Sequence, residues 1–101
     1  MEKILEDTIN EIDQICVEFL QKENNAYVRL PIISSEIQRV FEFLIGIFNE
    51  NEDEESKKWI ENVKKCLSEY ANTIEKKDTI GIFDTLLYKV KPILEDIKAL
   101  I

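Results

Sequence analysis

Apolar residues recur along most of the chain at steps of three and four, the repeat of a helix with one buried face. In the first segment, Glu2 to Glu23, the seam is Leu5, Ile9, Ile12, Cys16 and Phe19, flanked by Ile4, Ile15 and Leu20. Acidic side chains fill its other surfaces and suit the positive end of the helix dipole. Asn24-Asn25 reads as a left-handed helix stop. Ala26 to Pro31 then reads as a join whose structure the pattern leaves open: Pro31 biases Leu30 away from helix, although proline is welcome in a first helical turn. Ser35-x-x-Gln38 has the form of a capping box and predicts a second helix running to Asn49. That helix carries Ile37, Val40, Phe41, Phe43, Leu44, Ile45, Ile47 and Phe48. It is apolar on more than one face, which predicts burial by several neighbours or by a second chain. Gly46 costs such a helix about 1 kcal/mol relative to alanine, and its expected reason is a close helix crossing.

Asn49 to Ser56 predicts a solvated acidic loop, with Asn51-x-x-Glu54 as a cap. The third helix, near Asp53 to Lys76, repeats Trp59, Val63, Cys66, Tyr70 and Ile74 or Ala71, with Ile60 and Leu67 widening the stripe. Lys76-Lys77 stand at its negative end. Asp78 or Thr79 opens a fourth helix with Phe83, Leu86, Leu87, Val90, Ile93 or Leu94, Ile97 and Ile101 along one side. Pro92 falls within that pattern, removes an amide and crowds the carbonyl of Tyr88, so a kink is expected there. The prediction is an all-α, four-helix up-and-down bundle with a kinked fourth helix, one domain over residues 1–101.

Composition sharpens this picture. Among 101 residues there are 2 Gly and 2 Pro, too few for the turns that a sandwich or barrel places about every 8–12 residues. There is no histidine, which removes the commonest general base, zinc ligand and proton shuttle. The net charge is −8, and the only arginines are Arg29 and Arg39. Direct contact with nucleic acid or an anionic membrane is therefore not expected. The charge is unevenly spread: residues 1–55 hold 14 acids and 4 bases, a balance of −10, and residues 56–101 hold 7 acids and 9 bases, a balance of +2. The two halves would attract within a bundle or between copies, unless surface lysines merely cluster late in the chain. No charged apolar leader and no apolar run of spanning length is visible, so a cytoplasmic location is expected.

Candidate chemistry is sparse. The acidic loop at 50–55 lacks the glycine and the ligand offsets of a calcium site and reads as a solvated turn. Cys16 and Cys66 lie among apolar neighbours and read as core fillers. Nucleophile elbows and phosphate loops need glycines that the chain does not have. No cofactor, no metal and no enzymatic activity are expected. Tyr27, in the first join, is a candidate exposed interaction residue. Asp84, Tyr88, Lys91 and Glu95 fall at helical spacing on the less apolar face of the fourth helix, either as the edge of an interface or as a solvated face.

The stretch from Lys77 to Glu95 resembles the closing helix of a family of small helical proteins from Bacillus- and Clostridium-type bacteria. In that family a Lys-Asp pair leads into Asp-Leu-Leu-x-Tyr-Glu-x-x-Pro-x-Leu. Asp78, Asp84, Tyr88, Pro92 and Leu94 match, while Lys89 and Thr85 depart from the pattern. The resemblance implies the fold and a bacterial cytoplasmic setting, and carries no activity with it. The function expected is a non-enzymatic protein-interaction or chaperone-like adaptor with an unknown protein partner. The candidate surface is Tyr27, Phe43, Ile47, Asp84, Tyr88 and Lys91. The alternatives are an acidic DNA mimic that blocks a nucleic-acid-binding protein, and a self-associating homodimer with the second helix at its interface.

Overall fold

The computed structural model describes residues 2–50 and 53–100. Helix α1 spans Glu2–Gln21, α2 Glu23–Asn49 and α3 Glu54–Glu75. The last helix has three pieces: α4, Thr79–Thr85, a π-helical turn, Leu86–Val90, and α5, Lys91–Leu100. Contacts between neighbours run antiparallel throughout. Glu18 meets Arg29 across α1 and α2, Ser34 meets Tyr70 across α2 and α3, Glu69 meets Lys89 across α3 and the π turn, and Asp13 meets Lys91 across α1 and α5. The helices thus follow one another around an up-and-down ring. Its core takes one row from each helix, with Leu5, Ile12, Ile15, Ile37, Phe41, Val63, Ile82, Leu86, Val90 and Leu94 fully buried.

The first two helices depart from the expected boundaries. Lys22 alone separates them, in an extended-side conformation (φ −141°, ψ 71°). Asn24 and Asn25 are helical, and no left-handed stop exists there. The expected join at Ala26–Pro31 is also helix, and Pro31 lies inside α2. Ser35 is an exposed mid-helix residue rather than a cap, and Gln38 donates to Glu42 at 3.0 Å one turn on. The reason is packing. Ala26, Leu30, Ile33, Ile37, Val40, Phe41 and Leu44 form one buried seam straight through the proline. An interior proline costs a helix about 3 kcal/mol, and each fully buried aliphatic side chain returns about 1.5–3 kcal/mol. Several of them on one seam outweigh it.

Helix α3 is capped by Asp53, whose carboxylate accepts from the Ser56 amide at 2.7 Å and is held below its ordinary pKa by that bond; the expected cap at Asn51 lies outside the described residues. At its far end Lys77 is left-handed (φ 52°). The Lys77 amide bonds the Ile74 carbonyl and the Asp78 amide bonds the Thr73 carbonyl, each at 3.0 Å, which closes the helix as a Schellman motif. Asp78 then caps α4 by accepting from the Gly81 amide at 3.0 Å.

The interruption expected at Pro92 is the π turn just ahead of it. Ile82, Leu86, Val90 and Leu94 recur every four residues and are all fully buried. At about 100° per residue, three such steps in a regular α-helix would carry the seam about 120° away from the core. The wider turn absorbs the surplus. The Lys91 amide reaches back five residues to the Leu86 carbonyl, and helical order resumes through Pro92.

Candidate functional site

With its seam buried, α2 leaves a second row uncovered. Val28, Ile32, Glu36, Arg39, Phe43 and Ile47 are spaced 4, 4, 3, 4 and 4 apart and fall within a strip about 100° wide. Its apolar members are open to solvent: Val28 is 75% exposed, Ile32 64%, Phe43 54% and Ile47 45%. Large side chains left this bare on one face are unusual where isolated ones are not. Gly46 borders the strip, and a methyl added to it would meet nothing within 4 Å. The close crossing expected at Gly46 is therefore absent; the glycine faces open space.

The strip runs beside α1. A shallow cleft of about 330 Å³ between the two helices is lined by Ile4, Asp7, Thr8, Glu11, Glu36, Arg39 and Val40. Here the carboxyl groups of Glu11 and Glu36 face each other. Sharing a proton with Glu36, partial burial and the nearby Glu36 charge push Glu11 up to about 7, against the opposing pull of Arg29. Arg29 is held by Glu18. Arg39 is exposed and has no ion pair among the described residues. The strip thus offers two apolar ends around one acid and one guanidinium without an ion pair among the described residues.

A second cleft, about 370 Å³, opens between α3 and the π turn, with Asn62, Lys65, Cys66, Tyr88 and Pro92 among its walls. Tyr88 stands 67% exposed at its rim. Glu69 and Lys89 close one edge as an ion pair that lowers the carboxyl pKa and raises that of the amine. The thiol at its base is unreactive in character, since burial pushes Cys66 up to about 11.

A family model described as a domain of unknown function (DUF8042) matches residues 1–100. The chain belongs to that family. No curated protein and no solved structure matches it.

In this DUF8042 chain the candidate residues do not converge. Phe43 and Ile47 lie on the α2 strip, whereas Asp84 and Tyr88 are exposed on the last helix. Lys91 leaves their row: its ammonium donates to Asp13 at 2.6 Å and its pKa rises for that reason. The π turn shifts its register relative to Tyr88. Tyr27 is not an exposed contact. It packs edge-on against Phe19, ring centres 5.4 Å apart. Its hydroxyl lies 2.5 Å from the Thr79 hydroxyl, which donates to Glu23 at 2.9 Å. Tyr27 therefore ties the start of α2 to the start of α4. Val28, Ile32, Glu36 and Arg39 were missed as surface candidates because the break assumed at Pro31 cut their row in two. Read through the proline, their spacing is plain.

Proposed function

We propose that this chain is a non-enzymatic protein-docking module of the bacterial cytoplasm, engaging its partner through the outer strip of α2. One observation carries the reading: Val28, Ile32, Phe43 and Ile47 share one exposed strip of a helix whose other side already completes the core. A helix with a second apolar row favours a partner surface, since water contact along that row is unfavourable. The strip also favours docking over an acidic DNA mimic. Two acids of the acidic half are engaged within the fold, Glu18 with Arg29 and Asp13 with Lys91. The bacterial setting rests on the likeness of the last helix to the Bacillus- and Clostridium-type proteins.

The test is a photo-reactive phenylalanine analogue placed at Phe43, and in a control at the exposed Lys64 of α3, followed by irradiation in the native host. A discrete cross-linked adduct from position 43 and none from position 64 is expected. Equal labelling from both positions, or none from either, overturns the reading.

A further inference from the structure

Resting on the reading of the α2 strip as a docking face, we infer that its occupant is a second copy of this chain, packed antiparallel about a two-fold axis that passes beside the strip, level with the midpoint between residues 37 and 38. The strip has the same character read from either end. Val28 and Ile32 are apolar, Glu36 and Arg39 carry opposite charges at the centre, and Phe43 and Ile47 are apolar again. Positions 28 and 47, 32 and 43, and 36 and 39 are each equidistant from the midpoint. A two-fold axis there brings Val28 toward Ile47 of the second copy, Ile32 onto its Phe43 and Glu36 onto its Arg39, and every pairing occurs twice. The rows 28–32–36 and 39–43–47 are both i, i+4 rows, the kind that interlock when two helices cross.

Charge selects this partner over an arbitrary apolar one. Arg39 has no ion pair among the described residues, while one turn away the carboxyls of Glu36 and Glu11 crowd each other. A second copy delivers its Arg39 to that carboxyl pair and receives the same in return. The antiparallel register that sets Glu11 against Glu36 also puts Ile4 level with Phe43. Ile4 is 53% exposed, so α1 extends the apolar end of the strip.

The experiment is a charge swap on the full chain, read by sedimentation equilibrium. Wild type is expected to be a dimer at low-micromolar concentration. Arg39→Glu alone and Glu36→Arg alone each weaken self-association about tenfold or more, because like charges then meet at both central pairs. An equimolar mixture of the two variants recovers the dimer, because each copy then finds the opposite charge at both positions. Far-UV circular dichroism of each variant reports the fold independently. A monomeric wild type, single variants that dimerise as wild type does, or a mixture that stays monomeric each overturn the proposal. The docking reading is separable from it. A monomeric wild type whose position 43 cross-links to a protein of another mass removes the second copy and leaves the docking face, whereas a monomer with no adduct removes both.

Discussion

Gly46 and Gly81 occupy helices under opposite constraints. Gly46 faces open space, so a side chain there meets nothing. A Cβ at Gly81 would collide with the carboxylate of Asp78 and lie 3.0 Å from the Thr73 methyl. That position must be bare for Asp78 to fold its carboxylate over the start of α4. Gly46→Ala is therefore expected to stabilise the chain by about 1 kcal/mol, an increase of about 4–8 °C in Tm for a domain of this size. Gly81→Ala is expected to destabilise it by about 1–2 kcal/mol, through loss of the cap and crowding. Thermal unfolding followed by circular dichroism checks both, and equal shifts for the two variants would contradict the assignment. The sequence names both residues but does not distinguish them, since a glycine shows only what it lacks. Caps are more legible: Asp78 was one of two residues expected to open the fourth helix, and it does. The left-handed Lys77 had no signal, because the conformation is imposed by the helix closure around it and not by lysine.

At the scale of elements, two prolines had opposite outcomes from one rule. Pro31 was expected to separate helices and lies within one; Pro92 was expected to disturb a helix, and a π turn precedes it. The distinction is whether the apolar seam on either side stays in phase. It does across Pro31, at steps of four and three. Along the last helix it recurs at three consecutive fours, which only an extra residue in the helix reconciles with a straight core. Deletion of Tyr88, exposed on the π turn, should convert that spacing to fours and threes and leave a cooperatively folding chain. Deletion of Ser68, also exposed but in the regular helix α3, should rotate Tyr70 out of the core and abolish cooperative unfolding. Urea titrations of the two variants test the contrast, and similar behaviour of both would show that the π turn does not set the register.

At the scale of the whole molecule, the charge asymmetry does less than its size suggests. Of the three ion pairs among the described residues, only Asp13–Lys91 joins the acidic half to the basic half; the others lie within halves. The more consequential feature is repulsion between α1 and α2. In the folded chain Glu11 titrates at about 7, above its ordinary 4.5, because Glu36 shares its proton and Asp7 adds to the repulsion. The folded state therefore holds more protons than the unfolded state between those values, and stability falls as pH rises through that window. Below it, the Asp53 and Glu69 carboxylates, both held below their ordinary range, lose their partners on protonation and stability falls again. Maximum stability is expected at mildly acidic pH. Glu11→Gln should flatten the decline above about pH 5 and be more stable than wild type at pH 8 by about 1 kcal/mol, allowing for solvent screening. Thermal midpoints from pH 4.5 to 8 measure this, and parallel curves for the two proteins would refute it.

The sequence by itself determined the class of fold: four apolar seams at helical spacing, too little Gly and Pro for sheets, and an opening of the last helix at Asp78 or Thr79. These are local properties, set by periodicity and by hydrogen bonding within a few residues. Only the tertiary structure decided that α2 runs through Pro31, that the last helix takes a π turn, that Gly46 faces space, and that Tyr27 and Lys91 are engaged within the fold. Each of these depends on where distant segments pack: burial of the seams overrides the local preferences at Pro31 and along the last helix, contacts from distant residues hold Tyr27 and Lys91, and their absence leaves Gly46 open. The candidate site follows the same division. Phe43 and Ile47 stood out as surplus apolar residues, but the row that unites them with Val28, Ile32 and Arg39 exists only once packing has fixed one unbroken helix.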